Sequence, residues 1–157
     1  MTASHVQAQE YLTIRDFIAQ QRPGAQPTVQ RLWLTHDIKA TASRIMERSI
    51  HTMRVPYWQL DEQTTVWTCD EIGKEKPITM AFLIEQQQIM AMAILAFRES
   101  RGYQVRYPFF TEQFQAMGLM DDRTLTKRVD GISGATMSVR AVKRCARLSL
   151  YYAQQIP

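Results

Sequence analysis

Residues 77–97 are Pro-Ile-Thr-Met-Ala-Phe-Leu-Ile-Glu-Gln-Gln-Gln-Ile-Met-Ala-Met-Ala-Ile-Leu-Ala-Phe, two apolar runs on either side of a polar turn. Runs of this length around a short polar segment predict a hairpin of two antiparallel strands. Both runs are nearly continuous in apolar residues. We therefore expect both strands to be central in their sheet and covered on both faces.

The segment before this hairpin predicts more strands and two helices. Residues 54–58 and 64–69 have a period of two and predict another hairpin. Residues 11–20 and 38–50 carry apolar side chains at helical spacing. The short apolar run 29–34 is typical of a strand or an extended segment.

After the hairpin, residues 103–107 predict an extended segment and Pro108 a short helix through Phe114. A long helix is expected over residues 136–153. These elements predict an α+β fold: a small antiparallel sheet of about four strands packed with helices, ending in a long C-terminal helix.

The long C-terminal helix has two distinct faces. Its basic face suits a solvated surface or a docking surface for an acidic partner. The apolar face is predicted to hold Val139, Val142, Ala146, Leu150 and Ala153, and the basic face Arg140, Lys143, Arg144 and Arg147.

Length and composition indicate one globular domain. The 157 residues are 45% hydrophobic and 22% charged, with a modest net charge of +4 and no run of about 18 apolar residues. We assign residues 1–53 as an N-terminal helical segment of the same domain, and residues 54–157 as its core. No G-x-G-x-x-G nicotinamide-binding fingerprint follows a strand.

The two cysteines and the N-terminus bear on the compartment. Cys69 and Cys145 have no metal-ligand or redox spacing, which favours two buried free thiols. The alternative, a disulfide between them, would suit an exported protein. Residues 6–8, Val-Gln-Ala, have the small-residue pattern that precedes a signal-peptidase cut, although no apolar segment precedes them.

The candidate functional stretch is residues 130–138, Asp-Gly-Ile-Ser-Gly-Ala-Thr-Met-Ser. Its small residues allow a ligand to approach the backbone closely, and it comes just before a predicted helix. Ser133, Thr136 and Ser138 are all good N-cap residues. The pattern predicts either a phosphate-accepting turn at a helix N-terminus or an ordinary helix cap.

The order Asp130-x-x-Ser133-Gly134-Ala135-Thr136 resembles the flavinylation motif of the FMN-binding domain family. That family includes the flavin subunits of bacterial sodium-pumping and Rnf-type redox complexes. Similar blocks cover about residues 54–150. They are residues 67–79, 98–102, 107–110, 113–114 and 130–140.

The resemblance implies a covalent cofactor. A dedicated flavin transferase, with FAD as donor, would attach FMN to Thr136 through a phosphoester. A threonine alcohol needs a neighbouring base or metal to react, and His5, His36 and His51 lie far from Thr136 in sequence. An external transferase fits that arrangement, and it requires Thr136 to be exposed before modification.

The resemblance also implies a set of contacts around the cofactor. Asp130 would act in recognition or metal positioning, or is an ordinary turn aspartate. The family loop that meets the isoalloxazine ring lies at residues 98–102, where either arginine could stabilise reduced flavin or pair with Glu99. Tyr107 and Phe110 would stack on the ring or pack in the core. The expected cofactor-binding residues are Thr136, Ser133, Gly134, Ala135, Asp130, Arg98, Glu99, Ser100, Arg101, Glu71 and Lys74. The last two form a second candidate wall or a simple loop.

The function implied is that of an electron-transfer flavoprotein domain, outside the cytoplasm, relaying electrons between a reductase and a downstream acceptor. Its partners would be the flavin transferase and a membrane-bound or periplasmic redox protein. One alternative is a module that binds FMN or another phosphate ligand reversibly. Another is an assembly protein that uses the basic helix.

Overall fold

The computed structural model describes residues 9–157, so residues 6–8 and His5 lie outside it. Its elements in chain order are β1 (Gln9–Glu10), α1 (Ile14–Gln21), β2 (Thr28–Trp33), α2 (His36–Met46), β3 (Arg54–Asp61), β4 (Thr64–Ile72), β5 (Pro77–Glu85), β6 (Gln88–Phe97), α3 (Pro108–Thr111) and α4 (Thr136–Gln155). Two 3₁₀ helices, Tyr103–Arg106 and Glu112–Phe114, flank α3.

The strands form one antiparallel sheet in the order β1-β6-β5-β4-β3-β2. Both predicted hairpins are present, β3 with β4 and β5 with β6. Strands β2 and β1 extend the sheet at its two edges, where β1 pairs Gln9 with Phe97. The predicted α+β class is confirmed, with a sheet wider than the four strands expected.

Both faces of the sheet are covered, as the apolar runs of residues 77–97 predicted. Successive side chains of a strand point to opposite faces, and β5 shows this directly. Phe82 belongs to the larger core cluster, with α2 and α4, and Leu83 to a smaller one, with α1. Both side chains are fully buried.

Helix α4 is packed on the sheet by the apolar face that the sequence predicted. Val139, Val142, Ala146 and Leu150 are buried, and Ala153 is half-buried. The buried stripe is wider than expected, because Tyr152 also packs against Trp67 of β4, with ring centroids 5.9 Å apart. No helix in the described part of the chain is long and apolar enough to cross a bilayer.

A disulfide joins Cys69 of β4 to Cys145 of α4, with Cα atoms 5.8 Å apart. The prediction of two free thiols was wrong. Both side chains are buried as expected, but the sequence did not show that α4 lies across β4 at this point. The bond closes a loop between residues 76 positions apart and fixes α4 to the middle of the sheet.

Two local predictions were also wrong. Residues 103–107 were expected to be extended, but Tyr103–Arg106 is a 3₁₀ helix. Its turn brings the Arg106 guanidinium over the Tyr103 ring, 5.6 Å from the centroid. The second helix ends at Met46 rather than near residue 50, because Glu47 takes a left-handed conformation at φ 55° and reverses the chain.

Candidate functional site

The turn at residues 130–138 leads directly into α4, whose first residue is Thr136. Ala135 occupies the N-cap position and has no side-chain hydrogen bond to give. Of the two alternatives raised from the sequence, an ordinary cap by Ser133, Thr136 or Ser138 is not what the structure has. Gly134, at φ 81°, lets the chain reverse just before the helix, and a Cβ there would meet only open space.

The N-terminus of α4 is consequently open to a ligand. Among residues 9–157, no side chain accepts a hydrogen bond from the amide of Thr136, Met137 or Ser138. Thr136 itself is exposed. A helix N-terminus has unpaired N–H groups and the positive end of the helix dipole, which together favour a phosphate.

The loop at residues 98–102 packs closely against this helix start. Gly102 has φ 85°, and a Cβ at this position would lie 2.3 Å from Ser138 Oγ. Ser138 is buried in the first turn of α4. Only glycine satisfies both the left-handed backbone and this close approach. The contact fixes the loop relative to Thr136.

A cleft of about 310 Å³ opens at this junction. It contains two exposed cations, the Lys74 ammonium and the Arg101 guanidinium, which have no hydrogen-bond or ion-pair partner within the described residues. The volume is at the lower end of the range for ligand sites. The lining residues are Lys74, Arg101, Gly102, Gly134, Ala135, Thr136, Met137 and Ser138.

Glu99 holds one wall of the cleft in place. Its Oε1 accepts hydrogen bonds from the amides of Lys74, Glu75 and Lys76 at 2.7, 2.6 and 2.8 Å. Partial burial alone would raise the pKa of the Glu99 carboxyl. The three amide bonds outweigh this effect, and with the nearby charge of Lys76 they lower the pKa below its ordinary value. This carboxylate thus positions Lys74.

Arg98 and one carboxylate oxygen of Glu71 bind other groups of the protein, while Glu71 Oε2 is buried without a hydrogen-bond partner among the described residues. Arg98 Nη1 donates to the Pro77 carbonyl at 2.9 Å and to Thr79 Oγ1 at 3.0 Å. Neither Arg98 nor Arg101 pairs with Glu99, contrary to one of the two alternatives raised from the sequence. Glu71 is 6% exposed in β4, where Oε1 accepts from the Ile72 amide and lies 3.5 Å from Arg48 Nε.

Asp130 lies at the start of the turn, and its backbone is held by Gln113. Gln113 Oε1 accepts from the Asp130 amide at 2.8 Å, and Gln113 Nε2 donates to its carbonyl at 3.4 Å. The Asp130 carboxylate is exposed and has no partner among the described residues. It is therefore accessible to a metal ion or to another protein.

The aromatic residues near the site have separate roles. Phe110 is fully buried and packs edge-on against Phe114, so it belongs to the core. Tyr107 is 38% exposed and lies with Tyr103 against the Arg106 guanidinium. Tyr107 therefore packs on a cation of its own chain.

The structure gathers five of the expected residues around one cleft: Lys74, Arg101, Gly134, Ala135 and Thr136. Ser133 and Ser100 are exposed and are not among the residues that line it. Asp130, Arg98, Glu99 and Glu71 lie outside the lining as well. The sequence prediction did not include Gly102, Met137 and Ser138, although Gly102 ends the 98–102 block and the other two directly follow Thr136.

Another groove, of about 540 Å³, lies on the opposite face of the sheet, between α1 and β2. Its lining includes Ile14, Ile18 and Trp58, which belong to the smaller core cluster or pack against it. It contains none of the residues of the 130–138 turn. Among the described residues, no cluster of His, Cys, Asp or Glu is placed to hold a metal ion.

The part of the chain that builds the cleft is similar to a known family. The family model of the FMN-binding domain matches residues 73–150. Residues 73–150 belong to the FMN-binding domain family. A search of curated proteins found no match. The matched segment of this FMN-binding domain includes both walls of the cleft, the 130–138 turn and most of α4, so the family assigns flavin binding to the part of the chain that builds the site.

Proposed function

We propose that this FMN-binding domain is an electron-transfer module with FMN attached covalently to Thr136 through a phosphoester. The observation that carries the proposal is the open N-terminus of α4, where an exposed threonine is the first helical residue. The cleft beside it holds two cations that have no partner within residues 9–157. The carrier would relay electrons between a reductase and a downstream acceptor, and would catalyse little alone.

The residues present suit the phosphate of FMN. The free amides at residues 136–138 and the positive end of the helix dipole favour a negative charge next to Thr136 Oγ1. Arg140 is four residues further along α4 and thus neighbours Thr136 on the helix surface. Arg140 is exposed and unpaired among the described residues, so it would add to the electrostatic stabilisation of the phosphoester.

The ring would lie against the walls formed by residues 98–102 and Lys74. Bound FMN supplies one- and two-electron chemistry. The chain would orient the ring and tune its potential. Arg101 and Lys74 are the cations available to stabilise a reduced, anionic flavin, while Glu99 keeps the Lys74 loop in position. Arg98 would support this wall through its hydrogen bonds to the Pro77 carbonyl and to Thr79 Oγ1.

The attachment would depend on a transferase. FMN would pass from FAD to Thr136 Oγ1, with AMP as the leaving group. None of the described groups near Thr136 activates its alcohol, and His36 and His51 are exposed residues at the start of α2 and after its end. The exposed Asp130 carboxylate is the group we expect the transferase to recognise, directly or through a metal ion.

We further propose that the domain works outside the cytoplasm. The support is the disulfide between Cys69 and Cys145, because such bonds form and persist in oxidising compartments and are rare in the cytosol. Its redox partners would then be membrane-bound or periplasmic proteins.

Coexpression with a flavin transferase tests the proposal. The intact mass of the protein should rise by one FMN less one water, and the Thr136→Ala variant should show no gain. Ser133→Ala is the matched control, since it removes an exposed hydroxyl from the same turn, and it should still be flavinylated. Lack of any gain with an active transferase would reject covalent attachment. Titration with free FMN would then test the reversible alternative.

A further inference from the structure

The positive charge of this protein is concentrated in one segment. Residues 123–147 contain seven Lys or Arg residues and only one acidic residue. The remaining 132 residues contain 12 basic and 14 acidic residues. The net charge of +4 therefore arises entirely from the segment that surrounds the 130–138 turn and continues into α4.

Part of this segment forms a cleft of about 280 Å³ between α4 and the loop that precedes the turn. We call it the basic cleft. Leu125 is half-buried and Val129 is buried, so they provide an apolar floor. The cations stand around that floor. The lining residues are Thr124, Leu125, Lys127, Arg128, Val129, Lys143 and Arg147.

Some cations of the segment are bound within the chain. Arg144 pairs with Glu47, Arg147 Nε donates to the Arg123 carbonyl at 2.8 Å, and Lys127 Nζ donates to the Gln115 carbonyl at 3.0 Å. Each of these contacts fixes the position of a side chain, and the side chain remains accessible to solvent.

The Arg123 guanidinium lies over the Tyr151 ring, 5.6 Å from its centroid, and the other three cations of the segment have no contact of any of these kinds among the described residues. Arg128, Lys143 and Arg140 are exposed and have neither a hydrogen bond nor an ion pair among the described residues. Arg128 and Lys143 belong to the basic cleft itself. Their charges are thus available to a partner.

The basic cleft lies close to the proposed flavin site. Lys143 is seven residues from Thr136 on the same helix, a separation of about 10 Å along the axis. Arg140 lies between them, on the turn of helix after Thr136. A molecule bound in the basic cleft would therefore be held beside the cofactor attachment point.

We propose that the basic cleft docks an acidic segment of the protein that exchanges electrons with the flavin. The exchange rests on the function proposed above, and the docking rests on charge complementarity with this cleft. Opposite potentials steer encounter and fix register between partners. A concave site with an apolar floor suits a carboxylate flanked by an apolar side chain. An anionic bilayer would also attract these cations, but none of the cleft residues is a large exposed hydrophobic that could insert into it.

Fluorescence anisotropy tests the docking with a fluorescein-labelled peptide of glutamates around a central leucine. The glutamate peptide should bind, and binding should weaken as salt is added. The Arg128→Glu/Lys143→Glu variant should bind the glutamate peptide about tenfold more weakly, because two attractive ion pairs would become repulsive. The matched control is Arg15→Glu/Arg31→Glu, which makes the same charge change in α1 and β2 and should retain binding. Both arginines are exposed and have no partner in the described part of the chain.

Three results would overturn the proposal. Equal weakening in both charge-reversal variants would show a response to net charge alone. Equal binding of a peptide with glutamine in place of glutamate would exclude recognition of carboxylates. Binding to phosphatidylglycerol vesicles that depends on Arg128 and Lys143, without binding of the glutamate peptide, would assign the cleft to a membrane surface.

The docking experiment is independent of flavin attachment. It is run on both the wild-type chain and Thr136→Ala, and the peptide should bind to both. A failure of flavinylation with intact peptide binding would reject only the carrier function. Loss of peptide binding in a flavinylated protein would reject only the docking.

Discussion

Removal of the Cys69–Cys145 disulfide should cause a large loss of stability. The bond joins residues 76 positions apart, and for a loop of that length the chain-entropy relation gives a contribution of about 4.5 kcal/mol at 25 °C. For a chain of this size, that corresponds to a decrease in Tm of about 9–18 °C. The variant is Cys69→Ala/Cys145→Ala, which leaves no unpaired thiol.

The assay is urea unfolding followed by circular dichroism, with wild-type protein under oxidising and reducing conditions beside the variant. Reduced wild type is the matched control, because it loses the bond but keeps both sulfur atoms in the core. Its free energy of unfolding should be close to that of the variant and well below that of the oxidised protein. If oxidised wild type and both comparison samples unfold within about 1 kcal/mol of one another, the disulfide does not constrain α4 as the structure indicates.

Two further predictions concern the walls of the flavin site. Gly102→Ala should lose about 1–3 kcal/mol of unfolding free energy, because the new Cβ would meet Ser138 Oγ at a left-handed φ. Gly24 has a similar φ, but a Cβ there would meet open space, so Gly24→Ala should lose less unfolding free energy. Equal decreases in Tm for the two variants would contradict the contact between residue 102 and Ser138. Glu99→Gln should lower Tm at pH 7, since a neutral amide accepts weaker hydrogen bonds than a carboxylate. Folding lowers the pKa of Glu99. The stability that the Glu99 carboxylate contributes is therefore complete above its pKa in the unfolded state, and it is lost as the pH falls through its pKa in the folded state. The Tm difference from wild type should therefore shrink below about pH 4.5, and a constant difference down to pH 3 would contradict this.

The features that the sequence predicted well are those determined over short distances. The hairpin at residues 77–97 is set by two apolar runs and a polar turn, and the faces of α4 are set by helical periodicity. Strand β1 could not be found in this way, because Gln9 pairs with Phe97 across most of the chain. The disulfide depends on where α4 lies on the sheet, which no local pattern reveals.

At the candidate site, the sequence identified the segments that meet but not the hydrogen-bond partners of each side chain. The 98–102 block does meet the 130–138 turn. Yet the carboxylate of Glu99 binds backbone amides of the opposite loop, and Arg98 binds the start of β5. An ionic side chain has many possible partners in an unfolded chain, and only packing selects one. The prediction of an extended segment at residues 103–107 was wrong because the αL backbone of Gly102 starts a 3₁₀ turn there.

The most direct test of covalent flavin attachment uses the peptide of residues 129–140, which trypsin releases by cleaving after Arg128 and after Arg140. Thr136 is its only threonine. After coexpression with a flavin transferase, fragmentation by tandem mass spectrometry should place FMN on Thr136. FMN on Ser133 or Ser138, or an unmodified peptide from a transferase that modifies a positive-control substrate, would contradict the account.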